Sequence, residues 1–560
     1  MTERTALDSA HRLAAGLLQR GLDRVVVSPG SRNAPLLQAF ESLGIRSVVA
    51  LDERAAAHHA LGLSLASGQP VAVCCTSGTA ALNHGPALAE ADRVGLPLIS
   101  LTADRPSGAD DHWESQTLRQ QGVHAPHVRG SFQWAGEEAH EAELLDAMSD
   151  ALRSGPVHIN CPFDEPLYPA DEGRAGQTAP AAAPASTPAA QSPDLTAFLN
   201  RLRLAVQQKE RILLLGGTQP HPLSAEELHH WTRFGVVAGD SPSGLGIASD
   251  TVVATDRWMK RWGASGEAWE AVHPDLVVTF GAPLLSKSLR QALRQAPVDA
   301  IHIDPGVRFP HAFGTAPLAV QAPVHVALAA AASVLQDAPI PDGVLDWKGR
   351  WSRTEAHARA GHGPAVEAAP WSDLRAHALL HAALPASGWD LHLGNSTPVR
   401  YAQLFHRTDA PTPWSNRGVA GIDGCSATAV GAALAGRKVT LITGDLGFLY
   451  DANAFHVHPL PSRLRIAVLN NSGGGVFRWL DGPQRTGLLE SHFEMRHGVE
   501  LRALCDLHGL EHQRVTDVDE LQHALANWWS DSDVPRVLEI ATPPEISADA
   551  YRAYMAAVSV

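Results

Sequence analysis

Short apolar runs bounded by turn residues alternate along this chain with helical stretches, and the alternation occurs three times. In the first block VVVSP at 25–29, SVVAL at 47–51, VAVCCTS at 71–77 and PLISLTA at 97–103 read as strands buried on both faces. Helical stretches such as ERAAAHHALGLSLAS at 53–67 lie between them. Near-continuous apolar strands belong to parallel sheets covered by helices, since half-solvated antiparallel strands alternate apolar with polar residues. The middle block repeats the pattern with RILLLGG at 211–217, GVVAGD at 235–240, LVVTFG at 276–281 and AIHID at 300–304. The third does so with DLHLGNS at 390–396, KVTLITGD at 438–445, RIAVLNN at 465–471 and RVLEIAT at 536–542. The expected fold class is α/β, with three consecutive parallel-sheet domains.

The breaks between blocks are compositional. ADEGRAGQTAPAAAPASTPAAQSPD, residues 170–194, is rich in Ala, Pro, Ser and Thr and lacks large apolar residues. Such a segment cannot bury a core and reads as a linker. A weaker break falls between Gln336 and Pro370, where Pro- and Gly-containing stretches surround an amphipathic piece. The expected domains are 1–175, 195–340 and 365–560, which suits a chain of 560 residues at ordinary domain sizes.

Composition narrows the function classes. A formal net charge of −15 argues against sequence-independent nucleic-acid binding, which needs a basic face, but leaves anionic small molecules open. The five cysteines, with Cys74 and Cys75 adjacent, include no C-x-x-C pair and suggest neither a disulfide framework nor a zinc site. The 29 histidines are scattered, and none is assigned a catalytic role. The N-terminus starts an amphipathic helix without the apolar core of a signal peptide, and no apolar run is long enough for a membrane span. A cytoplasmic protein is expected. Phosphate loops of the G-x-x-x-x-G-K-[ST] type, H-E-x-x-H and G-x-S-x-G are absent, and SGLGIAS at 243–249 breaks the dinucleotide fingerprint at its third glycine.

Ligands of open parallel sheets sit beyond the carboxyl ends of the strands. At one such end stands Gly444-Asp445, and 26 residues after Gly444 a second apolar strand runs into Asn470-Asn471-Ser472-Gly473-Gly474-Gly475. Magnesium takes near-octahedral oxygen ligands, few from protein and the rest from phosphates and water. The Asp445 carboxylate, the Asn471 amide oxygen and the Gly473 carbonyl supply such a half-shell, and the glycines let the backbone approach a diphosphate. Apart, the two halves read as a helix cap and a tight turn. Together, each ending a strand, they point to a metal–diphosphate site.

GD followed by NN at this distance resembles the cofactor-binding motif of the thiamine-diphosphate enzyme superfamily. The resemblance implies pyrimidine-binding, middle and diphosphate-binding domains, thiamine diphosphate with Mg2+ or Mn2+, and active sites between subunits of a homodimer or homotetramer. It also implies a glutamate from the first domain against the cofactor's aminopyrimidine ring. Glu53, in Asp52-Glu53-Arg54 at the end of a predicted strand and the start of a helix, is the candidate.

A finer resemblance, to the MenD family of menaquinone biosynthesis, rests on SPGSRNAPL at 28–36, DERAAAHHALGL at 52–63, TSGTA at 76–80 and LTADRP at 101–106. GPVHINCPFDEPLY at 155–168, GNSTPVR at 394–400, SNRGVAGIDG at 415–424, GDLGFLYD and NNSGGGVF extend it along nearly the whole chain. That family joins 2-oxoglutarate to isochorismate with loss of carbon dioxide, giving 2-succinyl-5-enolpyruvyl-6-hydroxy-3-cyclohexene-1-carboxylate. Each substrate brings two carboxylates, and arginine binds carboxylates bidentately. Arg32, Arg105, Arg400 and Arg417 stand in the matching loops. The resemblance adds Gln116, Ser396 and Lys287 as polar substrate contacts and Phe477 in the pocket wall. It makes Ile422 the apolar wedge that holds the cofactor bent, with Gly444, Asp445, Asn471 and Gly473 at the diphosphate. Ser288 follows Lys287 where a second basic residue is expected, and Arg290 is the next cation. Two other readings stay open: a related carboligase or decarboxylase acting on pyruvate, and a non-catalytic descendant that only binds.

Overall fold

In a computed structural model the chain is described at residues 5–559, apart from 107, 110, 135–137, 169–192, 222, 249, 260–266, 296–297, 307–309, 311 and 314–315. The Ala- and Pro-rich linker therefore lies almost wholly outside the described residues. Three all-parallel sheets match the three blocks. The first comprises β1 (Arg24–Val27), β2 (Arg46–Val49), β3 (Val71–Cys75), β4 (Leu98–Asp104), β5 (Gly130–Gln133) and β6 (Val157–Pro162), in the order β2-β1-β3-β4-β6-β5. The second comprises β7 (Ile212–Gly216), β8 (Val236–Gly239), β9 (Leu276–Phe280), β10 (Asp299–Asp304) and β11 (Leu318–Gln321), in the order β11-β10-β9-β7-β8. The third comprises β12 (Asp390–Leu393), β13 (Val439–Gly444), β14 (Leu464–Asn470), β15 (Glu511–Val515) and β16 (Arg536–Ala541), in the order β12-β13-β14-β16-β15.

The burial that the apolar runs imply is realised in the central strands. Along β7, Ile212 and Leu214 join one core cluster while Leu213 and Leu215 join another on the opposite face of the sheet. Successive strand side chains point to opposite faces, so a wholly apolar run feeds two cores at once. One expectation needs correcting. SVVAL is not buried on both faces: β2 is an edge strand, and Val49 and Leu51 are 57% and 65% exposed. The amphipathic piece between Gln336 and Pro370 is one helix of 26 residues, Asp342–Glu367, with Pro364 inside it. Its tertiary contacts outweigh its glycines and proline. Trp347 and Trp351 are fully buried and each donates its indole N–H to the Val272 carbonyl, at 2.8 and 3.0 Å. Glu355, on the same helix, accepts from Trp258 Nε1 and pairs with Arg257.

The chain forms two compact units. One contains Met1–Gln191 with Gly418–Arg437 and Asp451–Ser462, and the other contains Ser192–Arg417, Lys438–Tyr450 and Arg463–Val560. Within the first unit the helix Cys425–Leu434 packs closely on the helix Glu53–Ser67. Glycine permits the approach: a Cβ on Gly62 would lie 2.0 Å from the Thr428 carbonyl oxygen, and one on Gly431 2.2 Å from that of His59. Among the described residues no helix is long and apolar enough to cross a membrane.

Candidate active site

β13 and β14 are parallel neighbours in register, with Gly444 opposite Leu469, so the two halves of the GD…NN motif emerge side by side at the carboxyl edge of the sheet. Asp445 opens the helix Asp445–Tyr450 and is 2% exposed. Its Oδ2 accepts the Gly473 amide N–H at 2.9 Å, and its Oδ1 accepts that of Leu446 at 2.7 Å. Gly473 has φ +152°, and a Cβ there would lie 2.6 Å from the Glu494 carbonyl oxygen, so only glycine keeps the turn on Asp445. That same carbonyl accepts the Gly474 N–H at 2.7 Å, which ties the turn to the segment around 494.

Asn471 is buried and its two amide atoms are treated differently. Nδ2 donates to Asp373 Oδ2 at 2.8 Å, while Oδ1 is buried without a partner. A buried polar atom left unpaired is unusual and asks for a ligand. Among the described residues no cluster of three or more His, Cys, Asp or Glu could hold a metal. Asp445, Asn471 Oδ1 and Gly473 form an all-oxygen set, and its chemistry fits a hard divalent cation.

Sequence reasoning passed over two residues here. Asp373, in the first turn of the helix Asp373–Ala383, is buried, and burial raises its carboxyl above the usual range. His497 Nε2 lies 3.3 Å from Asp445 Oδ2, and that carboxylate holds the imidazole above its ordinary range. Neither carries a local signature: Asp373 is 98 residues from Asn471 and reads as an ordinary acid beside the capping Ser372.

In the same unit the helix and loop after β12 carry part of the predicted cation set, Arg400 standing within the helix Thr397–Leu404 rather than in a loop. Ser396 has φ +73° at the start of the helix Thr397–Leu404, and its carbonyl accepts from Arg400 Nη1 at 2.6 Å. Arg417 Nη1 donates to Asn395 Oδ1 at 2.9 Å. Two acids back these arginines. Asp240 is buried, accepts the Leu285 N–H at 2.6 Å, is pushed up to about 7 by burial, and feels the charges of Arg417 and Arg290. Asp256 accepts from Ser286 Oγ at 2.6 Å and feels the charges of Arg400 and Arg290. Lys287 is exposed in the first turn of the helix Lys287–Gln295, whereas Arg290 folds back toward the Ser286 carbonyl beside Asp256, Nε to oxygen 3.4 Å. Phe477 lies in a short 3-10 turn, its ring 5.7 Å from that of Phe493.

The remaining candidates belong to the first unit. Glu53 is the first residue of its helix, half-buried, with Asp52 as the cap: Asp52 Oδ1 accepts the Ala55 N–H at 2.9 Å and Oδ2 accepts from Asn453 Nδ2 at 2.8 Å. Arg32 is buried, donates to the Phe163 carbonyl at 3.0 Å and lies 3.3 Å from Glu165. Arg105 directly follows β4, and its Nε is buried without a partner. Gln116, at φ +61°, donates Nε2 to the Ser77 carbonyl at 3.0 Å, and Ser77 Oγ donates to the Gln116 carbonyl at 3.0 Å. The loop carrying Ile422 is held at both ends by buried acids. Glu90 accepts the N–H groups of Gly418 and Val419 at 2.7 and 2.8 Å, and Asp451 accepts those of Gly424 and Ser426 at 2.8 and 2.9 Å. A cavity of about 470 Å³ elsewhere in the second unit, lined by Arg257, Arg375, Phe405 and Arg407, contains none of the predicted site residues.

Residues 7–123 match the family described as thiamine pyrophosphate enzyme, N-terminal TPP binding domain, and residues 394–540 match its C-terminal TPP binding domain. The chain resembles a solved thiamin diphosphate-dependent enzyme isolated from Mycobacterium smegmatis, with a TM-score of 0.68 at 19% identity over 97% of this chain and 100% of that one. Among curated proteins, the 2-succinyl-5-enolpyruvyl-6-hydroxy-3-cyclohexene-1-carboxylate synthase of Porphyromonas gingivalis is 36% identical over 96% of this chain and 95% of its own length. That of Desulfotalea psychrophila is 34% identical over 95% of this chain and 98% of its own. This chain therefore belongs to the 2-succinyl-5-enolpyruvyl-6-hydroxy-3-cyclohexene-1-carboxylate synthase family of thiamine-diphosphate enzymes.

Proposed function

We propose that this protein decarboxylates 2-oxoglutarate and adds the resulting four-carbon unit to isochorismate, using thiamine diphosphate and Mg2+ or Mn2+. The observation that carries the reading is the oxygen set at the β13–β14 edge, with Asn471 Oδ1 buried and unpartnered beside Asp445. Bound thiamine diphosphate supplies an electron sink that lets carbon dioxide leave a 2-oxoacid. Asp445, Asn471 and the Gly473 carbonyl are assigned to the metal, with Gly444 against the diphosphate. Glu53 is assigned to share a proton with the aminopyrimidine ring, and Ile422 to hold the cofactor bent.

The substrates supply the reason for so many cations in a chain of net charge −15. Arg32, Arg105, Arg400 and Arg417 are assigned to substrate carboxylates, with Gln116, Ser396 and Lys287 as further polar contacts and Phe477 as an apolar wall. A guanidinium buried among protein dipoles orients a carboxylate and stabilises charge without reorganising during the reaction. A pyruvate enzyme would have fewer carboxylates to hold. The assignment extends to domains 1–175, 195–340 and 365–560 for pyrimidine binding, spacing and diphosphate binding. It also extends to a cytoplasmic homodimer or homotetramer whose active sites lie between subunits.

The test is carbon dioxide release from 2-oxoglutarate by the purified protein with thiamine diphosphate and magnesium, with and without isochorismate. Strong stimulation by isochorismate is expected. Release from pyruvate but not from 2-oxoglutarate would move the specificity to another substrate, and silence with every 2-oxoacid would leave a binding protein.

A further inference from the structure

Asp373 is tied to more of the diphosphate-binding edge than its place in the sequence suggests. Its Oδ2 accepts from Asn471 Nδ2 at 2.8 Å and its Oδ1 accepts from Thr542 Oγ1. Its backbone N–H donates to Ser547 Oγ at 2.9 Å. One buried residue thus joins the turn after β14, the turn after β16 and the first turn of the helix Pro544–Val558, and Asp373 is 2% exposed.

The chemistry of a primary amide gives this contact a function. The amide of Asn471 is nearly symmetric in shape, with an acceptor at one end and two donors at the other. Turned the wrong way, it would aim an N–H at the cation and repel it. A carboxylate only accepts hydrogen bonds, so a neighbour of that kind selects the amide orientation in which Nδ2 faces inward. Oδ1 then faces the opposite way, and it is this atom that is buried without a partner. We infer that Asp373 is a positioning residue for the divalent metal, fixing the amide of Asn471 with its oxygen toward the ion, and that Thr542 fixes Asp373 in turn. The inference rests on the assignment of Asn471 to the metal. It goes beyond that assignment by placing control of metal affinity on two residues that touch neither metal nor cofactor.

Partners behind a metal ligand commonly change metal affinity by about 10–100-fold when removed. The measurement is the Mg2+ concentration that half-saturates cofactor binding by the full chain at fixed thiamine diphosphate, read by quenching of its tryptophan fluorescence. Asp373→Ala is expected to raise it by about 10–100-fold, with turnover recovering toward wild type at saturating Mg2+. A merely structural role would lower turnover at every metal concentration. Thr542→Val keeps the side-chain shape and decides the question if Asp373→Ala does not fold; it is expected to shift the half-saturation in the same direction by a smaller factor. An unchanged half-saturation in Thr542→Val and in any folded Asp373→Ala protein would overturn the inference. A wild-type protein whose cofactor binding ignores magnesium would instead overturn the metal site itself.

Discussion

The residues assigned to chemistry differ in how much the surrounding chain already engages them. Glu53 is held by its place at the start of a capped helix, and it is half-buried there. Replacing Glu53 by Gln keeps size and cap, so the fold should survive while turnover falls by at least about 100-fold, the usual scale for losing a proton-transfer group. Near-full activity in a steady-state assay would remove Glu53 from the mechanism. The cation pair at 287 and 290 is a second residue-scale question, because Ser288 stands where a second basic residue is expected. Lys287 is exposed, whereas Arg290 shares Asp256 with Arg400. Arg290→Ala should therefore raise the KM of a dicarboxylate substrate by about tenfold, the scale of one charged hydrogen bond, and Lys287→Ala should raise it less. Parallel KM series for 2-oxoglutarate and isochorismate would show which substrate each cation serves; the reverse order would restore Lys287 as the main contact.

At the scale of elements, the sheets were legible and the connections only partly so. Central strands announce themselves because burial on both faces favours a continuous apolar run, as in ILLL of β7. β2, whose residues are Arg-Ser-Val-Val, is apolar only in its second half and stands at an edge, since strand order depends on crossovers between distant segments. The helix Asp342–Glu367 defeats local propensity in the same way. Its glycines and Pro364 argue for a break, but Trp347, Trp351 and Glu355 meet partners about 75–100 residues away that secure it. The crossing of the helices Glu53–Ser67 and Cys425–Leu434 rests on the missing side chains of Gly62 and Gly431. Gly431→Ala would put a methyl against the His59 carbonyl and should cost about 1–3 kcal/mol, measured by denaturant unfolding. An unchanged midpoint would mean that the helices can part without loss.

For the whole molecule, buried histidines link stability to pH. Burial depresses His59, His302 and His392 to about 4 and His381 to about 3, well below the ordinary 6.5. The folded protein keeps them neutral while the unfolded chain takes up protons below about 6.5, so their contribution is present above that pH and is lost as pH falls toward the folded values. Each can remove up to about 1.4 kcal/mol per pH unit in that window. The urea midpoint should therefore drop steeply between pH 7 and pH 5; a flat profile would show that these imidazoles are not held neutral. The chain's residue order by itself determined the parallel α/β class, the three blocks and the GD…NN pair at one sheet edge, because each is written in residues close along the chain or in spacing that strands impose. Tertiary structure alone decided which strands are edges, that the segment before Pro370 is helix, and that Glu90, Asp451, Asp256 and Asp373 stand behind the candidate site residues. Those acids act across separations that no local pattern encodes, and an acidic side chain becomes informative only once folding has removed it from water and given it one particular donor.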